Sequence, residues 1–238
     1  MSHKRFLILG LYTLLYIIGA EAQNILSYSS RAKIEAWADS VLLTLTPEER
    51  LGQLIIPIVG CSDTPEQRAI IKNDIEKYHV GGLLFSKGTL ASQEALTIFG
   101  QGLSKKVPLM ITTDSEWGLN MRLTDAVRFP KNMTLGCINH IPNEMGSTLR
   151  DSLMYEYGLE VGTECREMGI AVNFAPVLDI NSNPKNPVIG NRSFGDNLNN
   201  VASAALSYSS GLEDAGVLAV GKHFPGHGNV ASDSHYSL

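Results

Sequence analysis

The chain has 238 residues, 44% of them apolar and 18% charged, with a formal net charge of −5. That is ordinary globular composition, with enough apolar residues for one sizeable core. The mild acidity, with no basic run after the N-terminus, argues against nucleic acid as a partner. The N-terminus stands apart: His3-Lys4-Arg5 is basic, Phe6 to Ala20 is almost wholly apolar, and Ala20-Glu21-Ala22 is an A-x-A cleavage signal. The run is short for a spanning helix and fits a secretory signal peptide over residues 1–22, cut after Ala22, with an uncleaved anchor as the competing reading. Export to the periplasm or the outside follows, with no stable membrane span after cleavage. The cysteines, Cys61, Cys137 and Cys165, have no CxxC spacing and are too few for a disulfide framework; they read as small buried residues.

After the signal, Arg31 to Thr44 places Ile34, Trp37, Ala38, Val41 and Leu42 at helical spacing. Thr46-Pro47-Glu48-Glu49 is a capping box with proline at the first helical position and starts a short second helix. Leu54 to Val59 reads as a first strand, with Pro57 demanding an edge or terminal place. Thr64-Pro65-Glu66-Gln67 repeats the capping signature and starts a helix to about Tyr78. Gly81 to Phe85 is a second strand, Ser92 to Ser104 the next helix, and Leu109 to Thr113 a third strand ending at Asp114. Ser147 to Met168 is helical through Leu149, Leu153, Tyr157, Val161 and Cys165, and Gly169 ends it. Ala171 to Ala175 is a fourth strand, Asn199 to Ala215 an amphipathic helix, and Val217 to Val220 a fifth strand.

Strand then helix, repeated with short connections, predicts an α/β fold with a parallel sheet, in one domain over residues 23–238. Two architectures fit: an open doubly wound sheet, or part of a (β/α)8 barrel. No G-x-G-x-x-G follows the first strand and no P-loop occurs anywhere. Polar residues at the C-terminal ends of several strands, Asp114, Asp179 and Lys222, agree with a barrel, where sites are assembled at those ends.

The densest chemistry follows the fifth strand, in Lys222-His223-Phe224-Pro225-Gly226-His227-Gly228 and then Asp233-Ser234-His235. Its glycines and proline make a shaped loop rather than a helix. Three histidines and an aspartate are candidate zinc ligands, but no pair has the spacing of H-E-x-x-H. The sharper reading pairs Asp233 with His235: a carboxylate on one ring nitrogen fixes the tautomer, and the other nitrogen passes a proton near neutral pH.

KHFPGHG followed by DSH resembles bacterial β-N-acetylhexosaminidases of glycoside hydrolase family 3. The resemblance extends to Asn173 through Asp179 and to Asn186 through Gly195, which are close to the family's F-A-P-V-x-D and N-P-x-I-G-x-R-S-F-G. It implies the barrel, of which about five β/α units are present, and it implies roles. His235 matches the general acid/base and Asp233 the residue that orients it. Asp114, Arg122, Arg192, Lys222 and His223 match positions that bind the sugar. Trp117 departs from the family's D-x-E-G-G and offers an aromatic face beside the site. Asp179 reads as structural, pairing with a nearby arginine, and His227 as a loop-shaping residue.

The resemblance implies a retaining glycoside hydrolase that releases terminal β-linked N-acetylglucosamine from an oligosaccharide or glycoside, with cell-wall fragments as natural substrates. No metal or organic cofactor is implied. A retaining enzyme needs a nucleophile opposite the acid, and no residue here matches the family's aspartate, which follows a later strand. The expectation is therefore a fragment of a longer enzyme, inactive alone. A family 3 β-glucosidase or xylosidase, a glycoside phosphorylase, and a non-catalytic sugar-binding protein stay open beside it.

Overall fold

The structure is a computed structural model that describes residues 28–140 and 146–233. The expected signal segment 1–22 and His235 lie outside them. The chain divides into two compact units, Met1–Thr46 and Pro47–Leu238. The described part of the first is dominated by helix α1, Tyr28–Leu42, on which Arg31 and Glu35 form a one-turn ion pair at 3.0 Å.

The second unit opens with α2, Pro47–Gly52, whose proline needs no N–H at the first helical position and whose Glu48 and Glu49 face the positive end of the helix dipole. Strand β1 is Ile58–Cys61, later than the expected Leu54–Val59. The reason is Pro57: it has no N–H for the ladder, although its carbonyl still accepts from the Leu84 N–H at 3.0 Å. Helix α3, Pro65–Glu76, is capped by Thr64 Oγ1, which accepts from the Gln67 N–H at 3.2 Å. Then come β2, Gly82–Gly88, and α4, Leu90–Leu103. Helix α4 starts two residues before the expected Ser92, because Thr89 caps the Ser92 N–H and Asp125 accepts from the Leu90 N–H at 2.9 Å.

Strand β3, Met110–Thr113, leads into a short 3-10 turn and a helix not foreseen from the sequence, α5, Asn132–Gly136. Helix α6, Gly146–Glu167, β4, Val172–Asn173, α7, Leu198–Asp214, and β5, Leu218–Ala219, complete the unit.

The five strands are all parallel and pair in the order β1-β2-β3-β4-β5. A doubly wound sheet reverses direction at a switch point; this one never does. Parallel crossovers are right-handed as a rule, and here each advances the same way, which puts the helices on one face of the sheet, the winding of a (β/α)8 barrel. Val59, Leu83, Phe85 and Ile111 join the core with Ile71 and Ile75 of α3 and Leu96 of α4.

Helices α6 and α7 meet backbone to backbone. A Cβ on Gly158 would lie 2.1 Å from the Tyr208 carbonyl, and one on Gly211 2.1 Å from the Tyr155 carbonyl. Beside these contacts Met154, Tyr157, Val161 and Cys165 of α6 pack with Val201, Ala204, Tyr208 and Leu212 of α7.

On the other face, one in-register row runs Ile58, Leu84, Thr112, Val172, Leu218. Its centre is buried and its ends are open, Ile58 at 73% and Leu218 at 56% exposure. Cys61 and Cys165 are buried as expected, but Cys137 is exposed, because it sits on the solvent side of the turn that follows α5. Among the described residues no helix is long and apolar enough to cross a membrane.

Candidate active site

Three loops at the C-terminal ends of adjacent strands converge: residues 114–124 after β3, 174–197 after β4, and 220–233 after β5. Amide side chains lock them together. Asn173, fully buried at the end of β4, accepts from the Ser115 N–H through Oδ1 and donates to the Ser115 carbonyl through Nδ2, both at 3.0 Å. Asn186 Oδ1 accepts from the N–H groups of Val188 and Ile189, and its Nδ2 donates to the His227 carbonyl at 2.6 Å. Asn132, at the start of α5, donates to the Arg192 carbonyl at 2.8 Å. The Lys222 N–H donates to the Pro176 carbonyl at 3.0 Å, which continues the β4–β5 pairing to the site. Asn173 and Asn186, paired at both ends of the amide, fix their loops as firmly as ladder bonds do.

On this scaffold an unbroken chain of charged contacts forms. Arg122 reaches Asp114 through Nη2 at 3.3 Å and donates from Nε to the Asp114 carbonyl at 2.9 Å. Lys222 Nζ bridges Asp114 Oδ1 and Glu116 Oε1, each at 2.8 Å. Arg192 grips the same Glu116 carboxylate with two parallel bonds, Nε to Oε2 at 3.0 Å and Nη2 to Oε1 at 2.8 Å. Arg192 Nη2 also lies 3.5 Å from His223 Nε2, and His223 Nδ1 is 2.6 Å from Asp179 Oδ2.

The chain has two tiers. Glu116 and Asp179 are buried, with side chains 1% and 0% exposed. Asp114, Arg122, Arg192, Lys222 and His223 lie above them, each partly open, from 17% for Lys222 to 40% for His223. The buried carboxylates therefore hold the outer groups, and the outer groups face the space at the strand ends. Lys222 uses two of its ammonium donors and keeps a third. Asp114 keeps unshared lone pairs on both oxygens, and His223 presents Nε2.

Burial opposes the charge on Glu116, but the Arg192 bonds and the Lys222 ammonium outweigh it and hold its carboxyl below the usual glutamate range. The Glu116 bonds in turn raise the already high pKa of Arg192. Burial also opposes charge on Asp179; the His223 ring and the backbone N–H groups of His227 and His223 outweigh it, so its pKa is lowered too. An ionised Asp179 only accepts. His223 Nδ1 is therefore the donor to Asp179, and Nε2 is the ring nitrogen that faces Arg192 Nη2 at 3.5 Å.

All five expected sugar-binding positions, Asp114, Arg122, Arg192, Lys222 and His223, come together here. Asp233 is half-buried at the end of the described residues, and the Asp233–His235 pairing cannot be described because His235 lies outside them. Asp179 does not pair with an arginine. It pairs with His223, because the backbone of the loop after β5 folds over it and delivers the N–H groups of His223 and His227 to the same carboxylate. His227, read as loop-shaping, contributes that backbone bond.

Sequence reading gave no role to Glu116, Asn173, Asn186 or Asn132. The third position of the D-x-E motif was the one signal for Glu116. Gly118 has φ of +92°, and a Cβ there would sit 2.5 Å from the Phe129 ring, so glycine is required. Trp117 is not in the positive-φ region, so a side chain is tolerated where the family has its first glycine. No group of three metal-ligating side chains is gathered among the described residues.

The model of the Glycosyl hydrolase family 3 N terminal domain matches residues 46–238. Beta-hexosaminidase LpqI of Mycobacterium tuberculosis is 36% identical over 197 residues, 80% of this chain and 46% of that protein. A glycoside hydrolase family 3 beta-N-acetylglucosaminidase from Paenibacillus superposes with a TM-score of 0.67 at 36% identity, over 80% of this chain and 35% of that one. The beta-glucoside phosphorylase BglX, bound to 2FGlc, gives a TM-score of 0.73 at 25% identity, over 84% of this chain and 34% of that one. The chain thus spans about half the length, or less, of these relatives.

Proposed function

The chain belongs to glycosyl hydrolase family 3, and on that premise we propose that it forms the sugar-binding part of a retaining β-N-acetylhexosaminidase. The observation that carries the reading is the two-tier cluster at the ends of β3, β4 and β5. Its outer groups carry donors and acceptors side by side, as ring hydroxyls require, and its three cations and three carboxylates cancel. A neutral, hydroxyl-rich ring suits a neutral site whose dipoles are already oriented. The 36% identity to beta-hexosaminidases supports N-acetylglucosamine as that ring.

In this reading His235 protonates the leaving oxygen and later takes the proton of the attacking water, while Asp233 orients its imidazole. The nucleophile is an aspartate from outside residues 1–238, as the family pattern implies, and it forms and then loses the glycosyl ester. Cell-wall fragments with terminal β-linked N-acetylglucosamine are the proposed substrates. The basic start, apolar run and A-x-A motif support export of the mature chain from Gln23; N-terminal sequencing that returned Met1 would contradict it.

A phosphorylase is the second reading, favoured by the likeness to BglX, since a neutral imidazole repels phosphate less than a carboxylate would. Turnover of the whole protein on 4-nitrophenyl β-N-acetylglucosaminide, β-glucoside and β-xyloside, with and without phosphate, separates the two. Preference for the N-acetylglucosaminide, with free sugar as the product in phosphate buffer, supports the hydrolase. A sugar 1-phosphate product supports the phosphorylase, and preference for the glucoside overturns the N-acetylglucosamine assignment.

A further inference from the structure

Behind the charged cluster lie two tyrosines that it does not use. Tyr157 of α6 and Tyr208 of α7 pack with ring centroids 5.1 Å apart and are 8% and 0% exposed. Their rings continue into Phe129 on one side, at 5.5 Å, and into Phe194 on the other, at 6.3 Å. Phe129 packs against Gly118, two residues after Glu116, and Phe194 comes two residues after Arg192. The four rings therefore run behind both of the loops that the Glu116–Arg192 ion pair joins.

Apolar packing accounts for the rings and not for the hydroxyls. Both Oη atoms are buried, and neither has a hydrogen-bond partner among the described residues. A buried hydroxyl left unpaired is costly enough that folded proteins rarely keep one, and here there are two in contacting rings. Glu164, seven residues on from Tyr157 and so on the same face of α6, adds a third such atom, its Oε2. The Leu119 N–H faces the Glu164 carboxyl, which sets it behind the same loop as Glu116. Both tyrosine hydroxyls feel the charges of Glu116 and Glu164. Burial first, and these charges after it, push both phenols above their ordinary range, so both stay donors. On the cluster side, Glu116 Oε2 takes one bond, from Arg192 Nε at 3.0 Å, and can accept a second.

We propose that Tyr157 and Tyr208 are positioning residues for the sugar cluster, and that their hydroxyls hold an enclosed water against Glu116. Two phenol donors match the two lone pairs of a water, and two carboxyls, Glu116 and Glu164, match its two protons. The water completes the bonding of Glu116 from the side opposite Arg192 and Lys222. It thereby fixes the carboxylate on which the outer tier rests.

Tyr157→Phe and Tyr208→Phe each remove one oxygen and keep the ring, so both variants should fold. In the whole protein each should lower Tm by about 2–4 °C, the worth of one hydrogen bond in a domain of this size. The double variant should lose less than the sum, because the two hydroxyls share one water. KM for 4-nitrophenyl β-N-acetylglucosaminide should rise roughly fivefold with kcat little changed, as Glu116 loosens its hold on Arg192 and Lys222. Diffraction from crystals of the whole protein should show the water within hydrogen-bond distance of both hydroxyls. A higher Tm in either variant, as removal of an orphaned hydroxyl gives, or no water at that place, overturns the proposal. A lower Tm with unchanged KM overturns the positioning role. Only the KM readout rests on the hexosaminidase reading. A wild type that turns over no N-acetylglucosaminide overturns that reading, and the Tm changes and the water then decide the enclosed site by themselves.

Discussion

Glu116 is the residue whose loss should be felt most. Its carboxylate is 1% exposed and is shared by Arg192, with two bonds at 2.8 and 3.0 Å, and Lys222 at 2.8 Å. Glu116→Gln keeps the shape and removes the charge. Arg192 and Lys222, 20% and 17% exposed, then stay in a largely desolvated place with an amide whose NH2 group faces their donors. Breaking one side of a buried pair in this way costs roughly 3–5 kcal/mol. For a unit of this size that lowers Tm by about 6–20 °C.

The pH dependence adds a second readout. The folded pKa of Glu116 is depressed below the ordinary value of 4.5, so its contribution is present above pH 4.5 and is lost as pH falls through the folded value. Wild-type stability should therefore decline in acid more steeply than that of Glu116→Gln. Thermal and urea unfolding from pH 3 to 7 measure both effects. A double-mutant cycle with Arg192→Met should show strong coupling, because removing both partners leaves less charge uncompensated. A Glu116→Gln protein within about 1 kcal/mol of wild type at pH 7, with an unchanged acid slope, would refute the argument that this carboxylate organises the site.

Other consequences can be measured on the same protein. Asp179→Asn should cost about 1–3 kcal/mol in urea unfolding, since three donors from His223 and His227 lose their ionised acceptor; it should also raise the KM for N-acetylglucosaminides by freeing the His223 tautomer. Gly211→Ala gains up to about 1 kcal/mol in helix propensity. Its Cβ would nevertheless sit 2.1 Å from the Tyr155 carbonyl, and the steric effect should win, lowering Tm by a few degrees. Burial pushes the Cys61 thiol up to about 11 and the Cys165 thiol up to about 12. Iodoacetamide at pH 8 should therefore label Cys137 in the native state and all three cysteines in guanidinium, as read by mass spectrometry.

Much of the fold was legible because its signals are local. Thr64-Pro65-Glu66-Gln67 announces α3 through a cap that forms as written, and the apolar runs locate five strands to within a few residues. The offsets arise where a partner distant in sequence decides the boundary: Asp125 starts α4 early, and Pro57 pushes β1 later by refusing the ladder. Composition could not choose between barrel and doubly wound sheet. That choice lies in strand order, which is set by tertiary packing.

At the site, motif matches brought forward the outer groups but not the buried groups beneath them. Glu116 was visible only as a letter in D-x-E, because its importance comes from two cations that lie 76 and 106 positions further along the chain. Asp179 was misassigned for the same reason: arginine is its statistical partner, and only the folded loop after β5 brings the His223 ring to it. Asn186 was visible only as the first letter of N-P-x-I-G-x-R-S-F-G, and Asn173 and Asn132 were given no role, since a buried amide clamp is defined by the backbone it meets.

The most direct measurement is the position of N-acetylglucosamine bound to the protein, determined by diffraction from crystals soaked in the sugar. The account predicts ring hydroxyls within hydrogen-bond distance of Asp114, Arg192, Lys222 and His223, with Glu116 and Asp179 beneath them and out of contact with the sugar. Sugar bound away from the ends of β3, β4 and β5, or resting directly on Glu116 with Arg192 displaced, would contradict it.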